Sequence, residues 1–72
     1  MADFKVSFID YLDGSGTYTF RTYFMMSKEN AIRLAKQDAD SLRATEFSIE
    51  YKGSGKSVGN WVKKGSRWYK EW

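Results

Sequence analysis

No cysteine, histidine or proline occurs among the 72 residues of this chain. Without cysteine there is no disulfide; without cysteine or histidine there is no zinc site of the usual kind and no Cys-His, Ser-His or His-metal catalytic pair. Catalytic, metal-binding and cofactor-binding residues are therefore not expected, and the chain reads as non-enzymatic. The lack of proline suits regular secondary structure. Nothing approaches the roughly 20 apolar residues of a membrane span, and Met1 to Tyr11 has neither the basic start nor the apolar centre of a signal peptide. A soluble, cytoplasmic protein with no membrane partner is the expectation.

At this length a single domain, residues 1–72, is expected, and a domain of this size buries only about 60% of the surface its unfolded chain exposes. Disulfide and the usual zinc staples are excluded, and for so small a chain a homodimer through an open sheet face or an edge strand is one open alternative. The chain is rich in rings instead. Thirteen Phe, Trp and Tyr make up 18% of it, each covering roughly 150–250 Å² when packed inside, and these rings are expected to carry most of the core.

The net charge of +3 is unevenly spread. Residues 1–51 carry six basic and eight acidic side chains, whereas residues 52–72 carry Lys52, Lys56, Lys63, Lys64, Arg67 and Lys70 against Glu71 alone. A basic end favours an acidic partner, either nucleic acid or an acidic protein face, and a solvated basic face with no partner is the common alternative.

Phe4, Val6 and Phe8 alternate with polar residues, the period of a half-buried strand that continues to about Leu12. Asp13-Gly14-Ser15-Gly16 supplies a tight reversal, and Tyr18, Phe20, Thr22 and Phe24 alternate again, which predicts a β-hairpin. Ser27 is placed as an N-cap with Glu29 in the first turn, and Ala31, Leu34, Ala35, Ala39 and Leu42 recur at helical spacing for about four turns. Phe47, Ile49 and Tyr51 predict a third strand over residues 45–52, ended by Gly53-Ser54-Gly55. Asn60 to Lys64 and Arg67 to Trp72 predict a second hairpin, turning at Gly-Ser or Lys-Gly-Ser. The order β-β-α-β-β-β defines an α+β fold: a five-stranded antiparallel sheet with one helix on one face, the other face left wet or used.

Gly55-Lys56-Ser57 resembles the end of a phosphate-binding loop, but the glycine required five residues earlier is Glu50 and no helix is expected after Ser57, so a loop between strands is the better reading. Asp10 and Asp13 lack the alternating ligands of a calcium loop, and Glu46 and Glu50 share a strand face with no nucleophile beside them. The helix charges Lys28, Arg33, Lys36 and Arg43 read as a solvated face. The informative constellation is the last twelve residues, where Trp61, Trp68, Tyr69 and Trp72 interleave with Lys63, Lys64, Arg67 and Lys70. Rings stack on unpaired bases for about 1–3 kcal/mol each while lysines neutralise phosphates. The same residue types also form protein hot spots. Trp61 and Trp68 are expected in the core. Lys56, Lys63, Lys64, Arg67, Tyr69, Lys70 and Trp72 are the candidate partner-binding residues, for a host protein, a ribonucleoprotein or nucleic acid.

The element order, the helix segment Ala31-Ile32-Arg33-Leu34-Ala35-Lys36 and the hairpin Trp61-Val62-Lys63-Lys64-Gly65-Ser66-Arg67-Trp68 resemble small phage-encoded anti-CRISPR proteins, in particular type I-F inhibitors of β-β-α-β-β-β layout. The resemblance implies a non-enzymatic inhibitor in the host cytoplasm that binds an RNA-guided surveillance complex and obstructs target DNA, with Gly65-Ser66-Arg67-Trp68 matching a contact region. The Gly53 to Gly59 loop is longer and richer in glycine than its counterpart there, which leaves the register of the last hairpin open. The alternative from the residues themselves is a direct single-stranded DNA or RNA binder.

Overall fold

The structure is a computed structural model and describes residues 1–10 and 17–72. Five strands and one helix follow in the expected order: β1 (Ala2–Asp10), β2 (Thr17–Met26), α1 (Lys28–Ser41), β3 (Glu46–Tyr51), β4 (Ser57–Lys64) and β5 (Arg67–Lys70). The expected turn at Asp13 to Gly16, and the extension of β1 to Leu12, lie outside the described residues. All pairings are antiparallel, and the strands lie in the order β2-β1-β3-β4-β5. The helix follows β2, yet the strand it leads into does not pair with β2. It crosses to the far side of β1, so β2 remains at one edge of the sheet and β5 at the other.

Ser27, in extended conformation, caps the helix by accepting from the Asn30 N–H at 3.2 Å, with Glu29 in the first turn as the dipole favours. At the other end Arg43 takes a left-handed φ of 57°, the Arg43 N–H donates to the Asp40 carbonyl and the Ala44 N–H to the Ala39 carbonyl. That pair of bonds is a Schellman ending, with arginine where glycine is commonest. Ala31, Ala35 and Ala39, spaced by four, are fully buried against the sheet. Their small side chains let the helix approach bulky partners closely.

Those partners are Phe4, Val6 and Phe8 of β1, Tyr23 of β2, Phe47 and Ile49 of β3 and Trp61 of β4, all buried. Phe47 is the centre of the ring cluster. It stacks on Trp61 at 5.2 Å between centroids, meets Trp68 edge-on at 4.9 Å and lies 6.1 Å from Phe8. Trp61 and the half-buried Trp68 are thus core residues, as expected. Rings carry most of this core, as expected, but a second set of rings lies outside it. Tyr18, Phe20, Phe24, Tyr69 and Trp72 are exposed.

The last hairpin turns at Gly65-Ser66, because Lys64 pairs with Arg67 and leaves two residues between them. Gly65 has φ 65°, the left-handed first position of a type II′ turn. Strand β4 starts at Ser57, three residues earlier than expected, so Ser57 runs into a strand and Gly55-Lys56-Ser57 meets no helix N-terminus. Gly59 sits where a Cβ would lie 2.8 Å from the Trp72 carbonyl oxygen. That carbonyl accepts from the Asn60 N–H while the Glu71 N–H donates back to Asn60, extending the β5 pairing toward the C-terminus.

Tyr23 donates a hydrogen bond to Asp38 of the helix, which also pairs with Arg21 at 3.2 Å. Burial first, then that bond, hold the Tyr23 hydroxyl well above its usual pKa. A raised folded-state pKa means stability that is fully present below the unfolded value of about 10 and is lost as pH climbs beyond it. Tyr23→Phe is expected to cost about 1.5 kcal/mol at neutral pH, the low end for a bond to a charged group because Arg21 stays on Asp38. The variant should also lose part of the stability decline above pH ~10, as read by urea unfolding at neutral and alkaline pH.

Candidate functional site

The helix covers the face that carries Phe4, Val6 and Phe8; strand alternation places Lys5, Ser7 and Ile9 of β1 on the opposite, helix-free face. Register carries that face across the sheet: Lys5 pairs with Thr22 and Glu50, Ser7 with Phe20 and Ser48, Ser48 with Asn60, and Val62 with Tyr69. Asn60 is its polar centre. Buried to 4% exposure, its amide accepts from the Ser48 hydroxyl at 2.6 Å and donates to Glu46 at 2.9 Å and to Glu71 at 3.4 Å. This network fixes the middle of the face and uses up Glu46.

The seven candidate binding residues do not share one surface. Arg67 and Tyr69 point to the helix-free face by alternation, with Lys64, which pairs with Arg67. All three are exposed. None of these cations has an ion pair among the described residues, where the two salt bridges are Arg21 with Asp38 and Lys63 with Asp40. Lys63 and Lys70 face the helix side. Lys63 is bound to Asp40 and lies 5.5 Å from the Trp68 ring centre, and Lys70 lies 5.9 Å from that of Trp61. The hydrogen bond from Lys63, joined by one from the Trp68 indole at 3.1 Å, holds the Asp40 carboxyl below the usual carboxylate range. Lys63 is therefore a structural cation linking helix to hairpin. Lys56 lies in the exposed loop before β4. Trp72, exposed, borders a shallow hollow of ≈ 210 Å³ with Ser7, Ser48, Glu50 and Ser57.

A second group was not singled out from the sequence as a surface. Tyr18, Phe20 and Phe24 stand exposed on the helix-free face of β2, with Tyr18 and Phe20 stacked at 6.3 Å. The Lys5 ammonium lies 5.5 Å from the Phe20 ring centre and that of Lys52 5.1 Å from the Phe24 ring centre, within cation–π range. Their alternation was visible; the choice of face was not. Four strand spacings of about 4.8 Å separate this row from β5, or about 19 Å. The sheet thus has an apolar edge and a basic edge.

Among the described residues no group of three acidic, histidine or cysteine side chains is placed to hold a metal ion, and no helix is long and apolar enough to cross a membrane. A hollow of ≈ 390 Å³ beside the helix C-terminus is lined by Asp40, Arg43, Thr45, Lys63 and Gly65, but its acid and its lysine are spent on each other. What the arrangement offers chemically is contact: ring faces, cations without an ion pair among the described residues, and strand edges. No protein-family model, curated protein or solved structure matches the chain.

Proposed function

We propose that this protein is a non-catalytic inhibitor of the phage-encoded anti-CRISPR kind. It docks its basic hairpin on a host CRISPR–Cas surveillance ribonucleoprotein and blocks that complex's engagement of nucleic acid. The observation that supports this reading is the exposed set Lys64, Arg67 and Tyr69, two cations without an ion pair among the described residues beside a ring, on a two-residue hairpin at the edge of the sheet. Charge specifies the docking point. A basic hairpin repels a basic DNA channel, so its complement on a ribonucleoprotein is phosphate or an acidic protein face.

The same cations and ring also favour a second reading, direct binding of single-stranded DNA or RNA. Both are tested with guide-loaded surveillance complex, a fluorescent target duplex and a bare labelled oligonucleotide. Under the first reading the protein abolishes target binding by the complex at concentrations where the bare oligonucleotide stays free. The double variant Lys64→Glu, Arg67→Glu loses that inhibition. Under the second the oligonucleotide binds by itself, and the same variant flattens the slope of log affinity against log salt by about 1.4, or about 0.7 per lost phosphate contact. An unaffected complex together with an unbound oligonucleotide contradicts both.

A further inference from the structure

We infer that the β2 edge is a self-association surface whose occupant is the β2 strand of a second copy, paired antiparallel about Thr22 to make one ten-stranded sheet. This goes beyond the proposed function and uses the opposite edge. The carbonyls of Asp3 and Ile9 accept from Lys52 and Thr45, on the β3 side. Odd residues of β1 therefore direct their backbone groups to β3, and even ones to β2. Phe4, Val6 and Phe8 pair with Tyr23, Arg21 and Thr19, so these odd residues of β2 are the hydrogen-bonded ones. Tyr18, Phe20 and Thr22 turn their N–H and C=O groups outward. Of these, Tyr18 and Phe20 also carry exposed side chains on the helix-free face, with the half-buried Thr22 beside them.

Edge strands are ordinarily kept from pairing by shortness, charge or proline. Strand β5 has the first two protections, with four residues of which Arg67 and Lys70 are charged. Strand β2 has none of them to that degree. It is ten residues long, and its one charged residue, Arg21, is held by Asp38 on the helix side. A second copy fits it better than a polyanion, because among the described residues the cations over the ring row are Lys5 and Lys52, while Lys64 and Arg67 lie at the other edge.

Charge also selects the register. Two-fold pairing about Arg21 sets two guanidinium groups directly opposite each other, which is destabilising. Pairing about Thr22 avoids this, overlaps nearly the whole strand and places Phe20 across from Phe24 of the second copy. Three rings of roughly 150–250 Å² each, about three-fifths exposed, offer about 270–450 Å² per protomer. Together with the outward backbone of a ten-residue strand, this approaches the ~800 Å² per partner of a standard interface. The basic hairpins then lie at the two outer ends of the double sheet.

Sedimentation equilibrium of the full chain tests the assignment: a species of twice the 8.4 kDa chain mass is expected, with Phe20→Lys shifting it to monomer while keeping the circular dichroism of the parent. The register is read separately. The chain has no cysteine, and a hydrogen-bonded pair about 5.5 Å apart is within disulfide reach. Thr22→Cys should therefore yield a covalent dimer on oxidation, whereas Phe20→Cys, displaced from its own copy, should not. A monomer at every concentration overturns the proposal and leaves the edge to an extended segment of another protein. A dimer that Phe20→Lys does not weaken, or that cross-links through Phe20→Cys but not Thr22→Cys, overturns it equally.

Discussion

Replacing Phe47 by alanine is expected to remove most of the folded population. Phe47 is fully buried at the junction of β1, β3, β4 and β5, in ring contact with Phe8, Trp61 and Trp68. Truncating a buried phenylalanine costs about 3–5 kcal/mol, the loss of transfer free energy plus the cavity left behind. A domain of this length holds about 4–11 kcal/mol in total at 0.05–0.15 kcal/mol per residue. The loss is therefore a large share of the whole. It cannot be recovered by collapse, because Trp61 and Trp68 are fixed by the Gly65-Ser66 hairpin and by the Trp68 bond to Asp40. Chemical unfolding should show the midpoint falling steeply, with native near-ultraviolet dichroism of the tryptophans lost before far-ultraviolet signal. A variant with an unchanged midpoint would place the core elsewhere.

Asn60→Asp is expected to have the second largest effect and to depend on pH. The asparagine amide is the one group that reconciles Glu46, Glu71 and Ser48. A carboxylate in its place turns two donated hydrogen bonds into repulsions, in a position only 4% exposed. An uncompensated buried charge destabilises by about 3–5 kcal/mol. Like charges around it raise the pKa of the introduced acid. The folded state therefore binds a proton that the unfolded state has released, and the variant should regain stability as pH falls toward 4–5 while remaining weak at 7, about the unfolded carboxylate range. Urea midpoints at the two pH values measure this. A loss that is the same at both would mean that the carboxylates are too far away or too well solvated to interact.

Much of the fold was legible because local chemistry decides it. Ser27 before a run of helical spacing, and Gly65-Ser66 between two short strands, act through neighbouring backbone groups, and both occupy the expected positions. Alternation identified β2 but could not choose its face. Tyr18, Phe20, Tyr23 and Phe24 place rings on both sides of the strand, and the choice is made by its pairing with β1, where Phe4 meets Tyr23. The irregularity between Ala2 and Phe4, with Met25 at φ 51° donating its N–H to Asp3 at 2.8 Å, shifts that register. No local residue pattern announces it. The candidate site was legible by composition and not by placement. Lys63 and Lys64 are neighbours in sequence, yet one is bound to Asp40 and the other has no ion pair among the described residues, because consecutive strand residues point to opposite faces. Nor does sequence order reveal that β3 inserts between β1 and β4, the step that separates the ring-bearing edge from the basic one.

The division of the sheet into two working edges is tested most directly by amide hydrogen exchange of the protein alone and with guide-loaded surveillance complex. Added protection is expected in the segment 61–70, centred on Lys64, Arg67 and Tyr69, with the exchange of residues 18–24 unchanged by the complex. Protection that appears along 18–24 while 61–70 exchanges as before would contradict the assignment of the basic hairpin as the docking edge.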